Sequence, residues 1–190
     1  MRDRPRLAAT GLMLLLAACA SAPTRFHTLD PVAPASAPVP RAFAVPVRLD
    51  SVTVPPELDR PQIVRRAGPG RLDLADSDRW AGALDELARG ALAADLALRL
   101  PAGATVRQDE PAPPRPLRRL DVVIERFEGA TPGPVTLVAH WTLLGDNPDR
   151  ALARHEARIE MPAGDDIDGT VTAMSAALAV LADRIAAEIP

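Results

Sequence analysis

Residues 43–54 (FAVPVRLDSVTV) alternate apolar and polar positions and are rich in β-branched residues, which predicts a strand. Pro46 within it points to an edge position or a bulge. Pro55-Pro56 ends the run, residues 57–61 read as a turn, and residues 62–66 and 71–74 read as short strands around Gly68-Pro69-Gly70. The period then changes. Trp80, Leu84, Leu87, Ala91, Ala94 and Leu98 recur at steps of four, three, four, three and four, which predicts a helix capped by Asp76 or Ser77 and running to about residue 100. On its polar side Asp85 with Arg89, and Asp95 with Arg99, form acid-first pairs four residues apart. Gly90 in its interior is read as close packing on the sheet, since glycine there costs up to about 1 kcal/mol relative to alanine.

Beyond a proline-rich stretch at 101–116, with a short strand at 104–108, three longer strands are predicted at 117–127, 135–144 and 151–161. Their loops, 129–133 and 145–149, are short and rich in Gly and Pro, so an antiparallel meander follows. Along the middle strand Val135, Leu137, Ala139, Trp141 and Leu143 share one face. In the third, Arg154, Glu156, Arg158 and Glu160 share the wet one. A second amphipathic helix over 168–189 carries the stripe Val171, Met174, Leu178, Leu181, Ile185 and Ile189. The fold class expected is α/β (α+β): a single domain with a mixed, mostly antiparallel sheet of about five strands and two main amphipathic helices.

The N-terminal residues stand apart from this fold. Arg2, Arg4 and Arg6 precede an apolar run at 7–18, twelve residues long. That is short of the roughly 20 residues a membrane span needs and fits the apolar core of a signal peptide. It ends in Leu16-Ala17-Ala18-Cys19, which looks like a bacterial lipobox: cleavage falls between Ala18 and Cys19, and Cys19 carries the lipid. Ala20, rather than aspartate, follows the cysteine, which by resemblance to the enterobacterial sorting rule favours the outer membrane. The organisation read is a signal peptide at 1–18, a lipidated Pro/Ala-rich tether at 19–41 and one domain at 42–190. Within the tether only 25–29 (RFHTL) alternates well enough to add a small strand.

Composition narrows the function classes. Of 190 residues 47% are hydrophobic and 25% charged, which describes a globular chain rather than a disordered one. The single cysteine excludes a disulfide framework and any zinc site of several thiolates. All 22 basic residues are arginine, and the net charge of −3 argues against nucleic acid as the main partner.

No catalytic constellation, metal site or cofactor motif is read from the sequence. His155-Glu156 begins like a zinc-protease motif, but Ile159 stands where its second histidine belongs. Asp165, Asp166 and Asp168 lack the spacing of a calcium loop and read as helix capping. Trp80 and Trp141 fall on apolar faces and read as core. Leu58, Asp59, Arg60 and Pro61 form the candidate partner-binding loop; the competing reading is a tight turn in which Asp59 bonds nearby N–H groups and Arg60 pairs locally.

The order of segments resembles the PqiC/YmbA family of ABC-type transport auxiliary lipoproteins. The stretches carrying the resemblance are VTVPPELDRPQIVRR at 52–66, LADSDRW at 74–80, DVVIERFEG at 121–129, VTLVAHW at 135–141 and the Ala-rich final helix. Phe26-His27 departs from the family's Tyr-x-Leu segment. The resemblance implies a periplasm-facing outer-membrane lipoprotein, not an enzyme, that assists an MCE-type lipid transport system. Its partners would be an MCE-domain protein and an ABC permease, with the lipoprotein as a dock or as a homo-oligomeric ring. The alternative class is a structural or regulatory lipoprotein that scaffolds or activates another envelope protein.

Overall fold

The computed structural model describes residues 23–35, 45–111, 116–145 and 151–189. Its elements are β1 (Arg25–His27), β2 (Val47–Thr53), β3 (Gln62–Gly68), β4 (Arg71–Trp80), α1 (Leu84–Arg99), β5 (Thr105–Val106), β6 (Arg118–Ala130), β7 (Val135–Leu144), β8 (Ala151–Met161) and α2 (Ile167–Glu188). The α+β class holds, with eight strands rather than about five. The extra ones are short pieces whose pairing comes from elsewhere in the chain.

Strand β6 organises the sheet. On one edge it pairs antiparallel with β7, which pairs antiparallel with β8. Its other edge is shared: β2 runs parallel to its first half, and β3 runs parallel to its end through Arg65–Gly129 and Arg66–Ala130. β2 and β3 therefore form one interrupted track along β6, and residues 54–61 leave the sheet between them. Hairpin β3–β4 extends the sheet, and β1 closes that edge by parallel pairing with β4. The pairing is mixed as expected, and the long ladders are antiparallel.

Both helices cover one face of the sheet. α2 packs on β6, β7 and β8, and α1 packs on β2 and on α2. Every residue of the apolar stripe read for the last helix is buried. α2 is long and apolar enough to cross a membrane, yet most of its length is covered by α1 and the sheet. Gly129 lets β6 approach it closely: a Cβ there would lie 2.8 Å from Thr170 Cγ2.

Four expectations are corrected. The first helix begins at Leu84, not at Asp76 or Ser77; its N-cap is Ala83, without a side-chain cap bond. Residues 76–80 continue β4, because β1 pairs alongside them and the Trp80 N–H donates to the Pro61 carbonyl. The buried face of α1 is also rotated from the stripe expected. Ala88, Leu92, Asp95 and Leu96 face inward, whereas Leu98 is 44% exposed. Asp85 does not pair with Arg89, which bonds Glu86 instead. Finally, Gly90 is exposed with open space beyond it, so it does not serve close packing on the sheet.

Candidate functional site

Cys19 and Ala18 lie outside the described residues. Of the proposed docking loop, Asp59, Arg60 and Pro61 are exposed. Leu58 is a correction: at 3% exposure it belongs to the core and offers no contact surface. The turn is closed by backbone bonds, with the Leu58 and Asp59 N–H groups donating to the Pro55 carbonyl and the Arg60 N–H to the Leu58 carbonyl. Neither Asp59 nor Arg60 forms an ion pair among the described residues. Their charges are therefore spare, as a contact surface requires.

The segment read as tether is in part a strap across the domain. Phe26 and its neighbours form β1, Leu29 is buried in the core, and the Asp30 N–H donates to Ser175 Oγ on α2 at 3.2 Å. Val32 is held at both backbone groups. Its N–H donates to Asp95 Oδ1 at 2.9 Å, and its carbonyl accepts from Arg99 Nη1 at 3.1 Å. Arg99 also donates to Asp95 Oδ1 at 3.0 Å and to Asp183 Oδ1 of α2 at 2.6 Å. Asp95 is fully buried, and its Oδ2 has no hydrogen-bond partner. Burial pushes the Asp95 carboxyl above the ordinary carboxylate range, against the opposing pull of the Val32 N–H and the Arg99 charge.

At the other end of the strap, His27 Nε2 lies 2.8 Å from Asp78 Oδ1, and Arg25 Nε lies 2.8 Å from the same oxygen. Burial raises the Asp78 carboxyl, but the hydrogen bonds and charges of Arg25 and His27 outweigh it and leave it below its usual range. Sequence reasoning missed this network because its partners are 51 and 63 positions apart. A faint signal did exist: Asp95 lies four residues after Ala91 and so borders the apolar stripe expected for α1.

A groove of about 650 Å³ opens between α1, the start of β2 and β5. Val47 and Leu49 form its floor, Gly90, Ala93, Ala94 and Ala97 of α1 form one wall, and Val106 and Leu100 close the rest. Small side chains on α1 create the space. At the rim Arg107 pairs with Asp109 at 2.8 Å; that hydrogen bond raises the guanidinium's pKa and lowers the carboxyl's. Such a lining can hold an apolar guest beneath a charged rim.

The remaining chemistry-bearing residues are engaged structurally. Glu128, buried on β6, accepts from Arg66 Nε at 2.8 Å, from Arg126 and from the Phe127 N–H. Burial alone would raise it, but the two arginines hold it below its ordinary range. Trp141 stacks on His155, with centroids 5.4 Å apart, and Trp80 is buried at the end of β4. His140 Nε2 sits 2.9 Å from Glu125. Asp166 caps α2 by accepting from the Gly169 N–H at 2.7 Å. Among the described residues no cluster of three metal-ligating side chains occurs.

Together these features define a two-layer α+β domain with a strapped N-terminus and an apolar groove. Residues 27–186 match the family of ABC-type transport auxiliary lipoprotein components, and the chain belongs to that family. The match begins within β1, so the strap falls inside the family's domain. No curated protein matches the chain. It is similar to the crystal structure of an uncharacterized protein at a TM-score of 0.72 and 22% identity, covering 89% of this chain and 100% of that one. A second likeness is to a Xanthomonas campestris protein, at a TM-score of 0.66 and 16% identity, covering 86% and 92%. At these identities the likeness is one of fold.

Proposed function

We propose that the chain is a lipoprotein anchored through acylated Cys19 in the outer membrane and facing the periplasm. There it acts as a non-enzymatic accessory subunit of an MCE/ABC-type lipid transport system. The match of residues 27–186 to a transport auxiliary family carries this reading. It is supported by the basic n-region, short apolar core and Leu-Ala-Ala-Cys order at 16–19, and by Ala20 after the cysteine. Several buried acyl chains, at about 0.8 kcal/mol per methylene, hold such a protein stably. Asp59, Arg60 and Pro61 are the contact offered to an MCE-domain protein or permease.

The test is co-purification from detergent extracts. An MCE-domain protein and an ABC permease should be retained with the lipidated chain. Their absence, with an envelope enzyme retained instead, would replace this reading with that of a regulatory lipoprotein. Cys19→Ala should abolish acyl labelling and release the domain from membranes; unchanged labelling would remove the anchor assignment.

A further inference from the structure

Among the described residues Phe26 is the most exposed large hydrophobic side chain, at 68%. It sits in β1, at the edge of the sheet beyond β4. Register places Phe26 opposite Arg79 of β4, and Arg79 opposite Gln62 of β3. Side chains at such positions share a face. Phe26 and Arg79 therefore lie together on the face without helices, while Arg25 and His27 point to the helix face and meet Asp78 and Asp168. Arg79 forms no ion pair among the described residues. An aromatic ring beside an uncompensated guanidinium suits an interface that is apolar below and phosphate-bearing above.

Chain length decides what covers this patch. Six residues lie between Cys19 and Phe26, and the seven steps along the chain, at 3.3–3.6 Å each, span at most about 25 Å. A domain of about 150 residues has a radius of gyration near 15 Å and is about 40 Å across. The leash is thus shorter than the domain is wide. The strap beyond Phe26 cannot lengthen it, because His27, Leu29, Asp30 and Val32 are bonded or buried in the fold.

We infer that the Phe26–Arg79 face of the β1 edge is laid on the phospholipid bilayer that holds Cys19, with the Phe26 ring in the interface and Arg79 toward the lipid phosphates. This rests on the acylation of Cys19 proposed above. It adds an orientation: the β1 edge faces lipid, and the β8 edge, which carries Leu152 at 55% exposure, faces away.

The experiment uses the full lipidated chain in vesicles of phosphatidylethanolamine and phosphatidylglycerol. Acylation consumes the single cysteine, so Phe26→Cys, or Leu152→Cys in a second sample, provides one thiol for a nitroxide label. Acylation is verified by mass spectrometry. At position 26 collisions with a nickel chelate should be lost and collisions with oxygen raised; at 152 the chelate should reach the label freely. Equal chelate access at both positions in an acylated chain overturns the inference and leaves the anchor standing. Spin–spin broadening at 26, showing a second copy over the patch, also overturns it. A chain that is not acylated removes both readings.

Discussion

Arg99→Leu probes the strap most directly, because it isolates one buried carboxylate. The Arg99 side chain is 5% exposed and bonds Val32, Asp95 and Asp183. Leucine keeps much of the apolar bulk and removes the cation. Asp95 then has no counter-charge, with Oδ2 already unpartnered. Breaking a buried pair from one side costs about 3–5 kcal/mol. The partial exposure of Asp183 and the retained Val32 N–H bond place the expected loss at the lower end, about 3 kcal/mol at pH 8.

This loss should depend on pH in a definite direction. Asp95 is raised above its ordinary 3.8 in the folded protein, so the folded state holds that proton more tightly than the unfolded chain. Such a group favours folding most below 3.8. Its contribution declines as pH rises to the folded value and is constant above. Without Arg99 the folded value moves higher still, so the variant's deficit relative to wild type should shrink as the solution is acidified. The change is at most about 1.4 kcal/mol per pH unit. Urea unfolding of both proteins at a series of pH values from neutral to acid measures this, with hydrogen exchange of the Val32 amide reporting release of the strap. Asp95→Asn, which keeps an acceptor and discards the charge, should cost only about 1 kcal/mol and remove the part of the pH dependence that Asp95 contributes. A pH-independent deficit in Arg99→Leu, or one below about 1 kcal/mol, would refute the reasoning.

Two glycine substitutions should move stability in opposite directions in thermal or urea unfolding. Gly129→Ala meets Thr170 Cγ2 at 2.8 Å and should lose about 1–3 kcal/mol, whereas Gly90→Ala meets nothing and should gain up to about 1 kcal/mol. Leu58→Ala should cost about 2–3 kcal/mol because the side chain is buried. The double change Asp59→Ala with Arg60→Ala should stay within about 0.5 kcal/mol while weakening partner retention; a matching stability loss would make the loop a structural turn. Glu128→Gln should cost about 2 kcal/mol at neutral pH. Because Glu128 is held below its ordinary 4.5, its contribution is complete above that value and disappears as pH falls through the folded one, so the variant should flatten the acid limb of the stability curve.

The strands that can be read from sequence are those whose period stands alone. β7 and β8 occupy residues 135–144 and 151–161, the spans their alternation predicts. Charged residues of one face and polar flanks leave no competing register there. Residues 76–80 mislead for a definite reason. Asp76 and Ser77 are good caps, and Trp80 falls four before Leu84, so local pattern favours a helix. The deciding interaction is the pairing of β1, some fifty residues earlier, which no window contains. The same blindness hides the rotation of α1. Asp95 counts as polar in any periodicity, yet it is the most buried acid of that helix because Val32 and Arg99 satisfy one of its oxygens. At the candidate loop, turn chemistry reveals the exposed pair Asp59–Arg60 but not the burial of Leu58, since a leucine between prolines and charges carries no period. The groove was marked by Gly90, whose absent side chain leaves open space rather than allowing close packing.

The strap changes what an anchored domain of this kind can do. A free tether over 19–41, extended at roughly 3.1 Å per residue, would let the domain range some tens of ångströms from the bilayer. With β1 beginning at Arg25, an anchor at Cys19 leaves six residues of leash, or about 20 Å at full extension. That is less than the width of the domain, so it cannot ferry a lipid across the periplasm or meet a partner midway. The crossing must then be made by the partner. With the anchor in the outer membrane, as proposed above, binding to the domain would depend on that partner reaching the same bilayer, and lengthening the leash by inserting a flexible segment before Arg25 should relax the requirement. If such an insertion left partner retention unchanged and the Arg99→Leu strap release did the same, proximity to the bilayer would have no part in assembly.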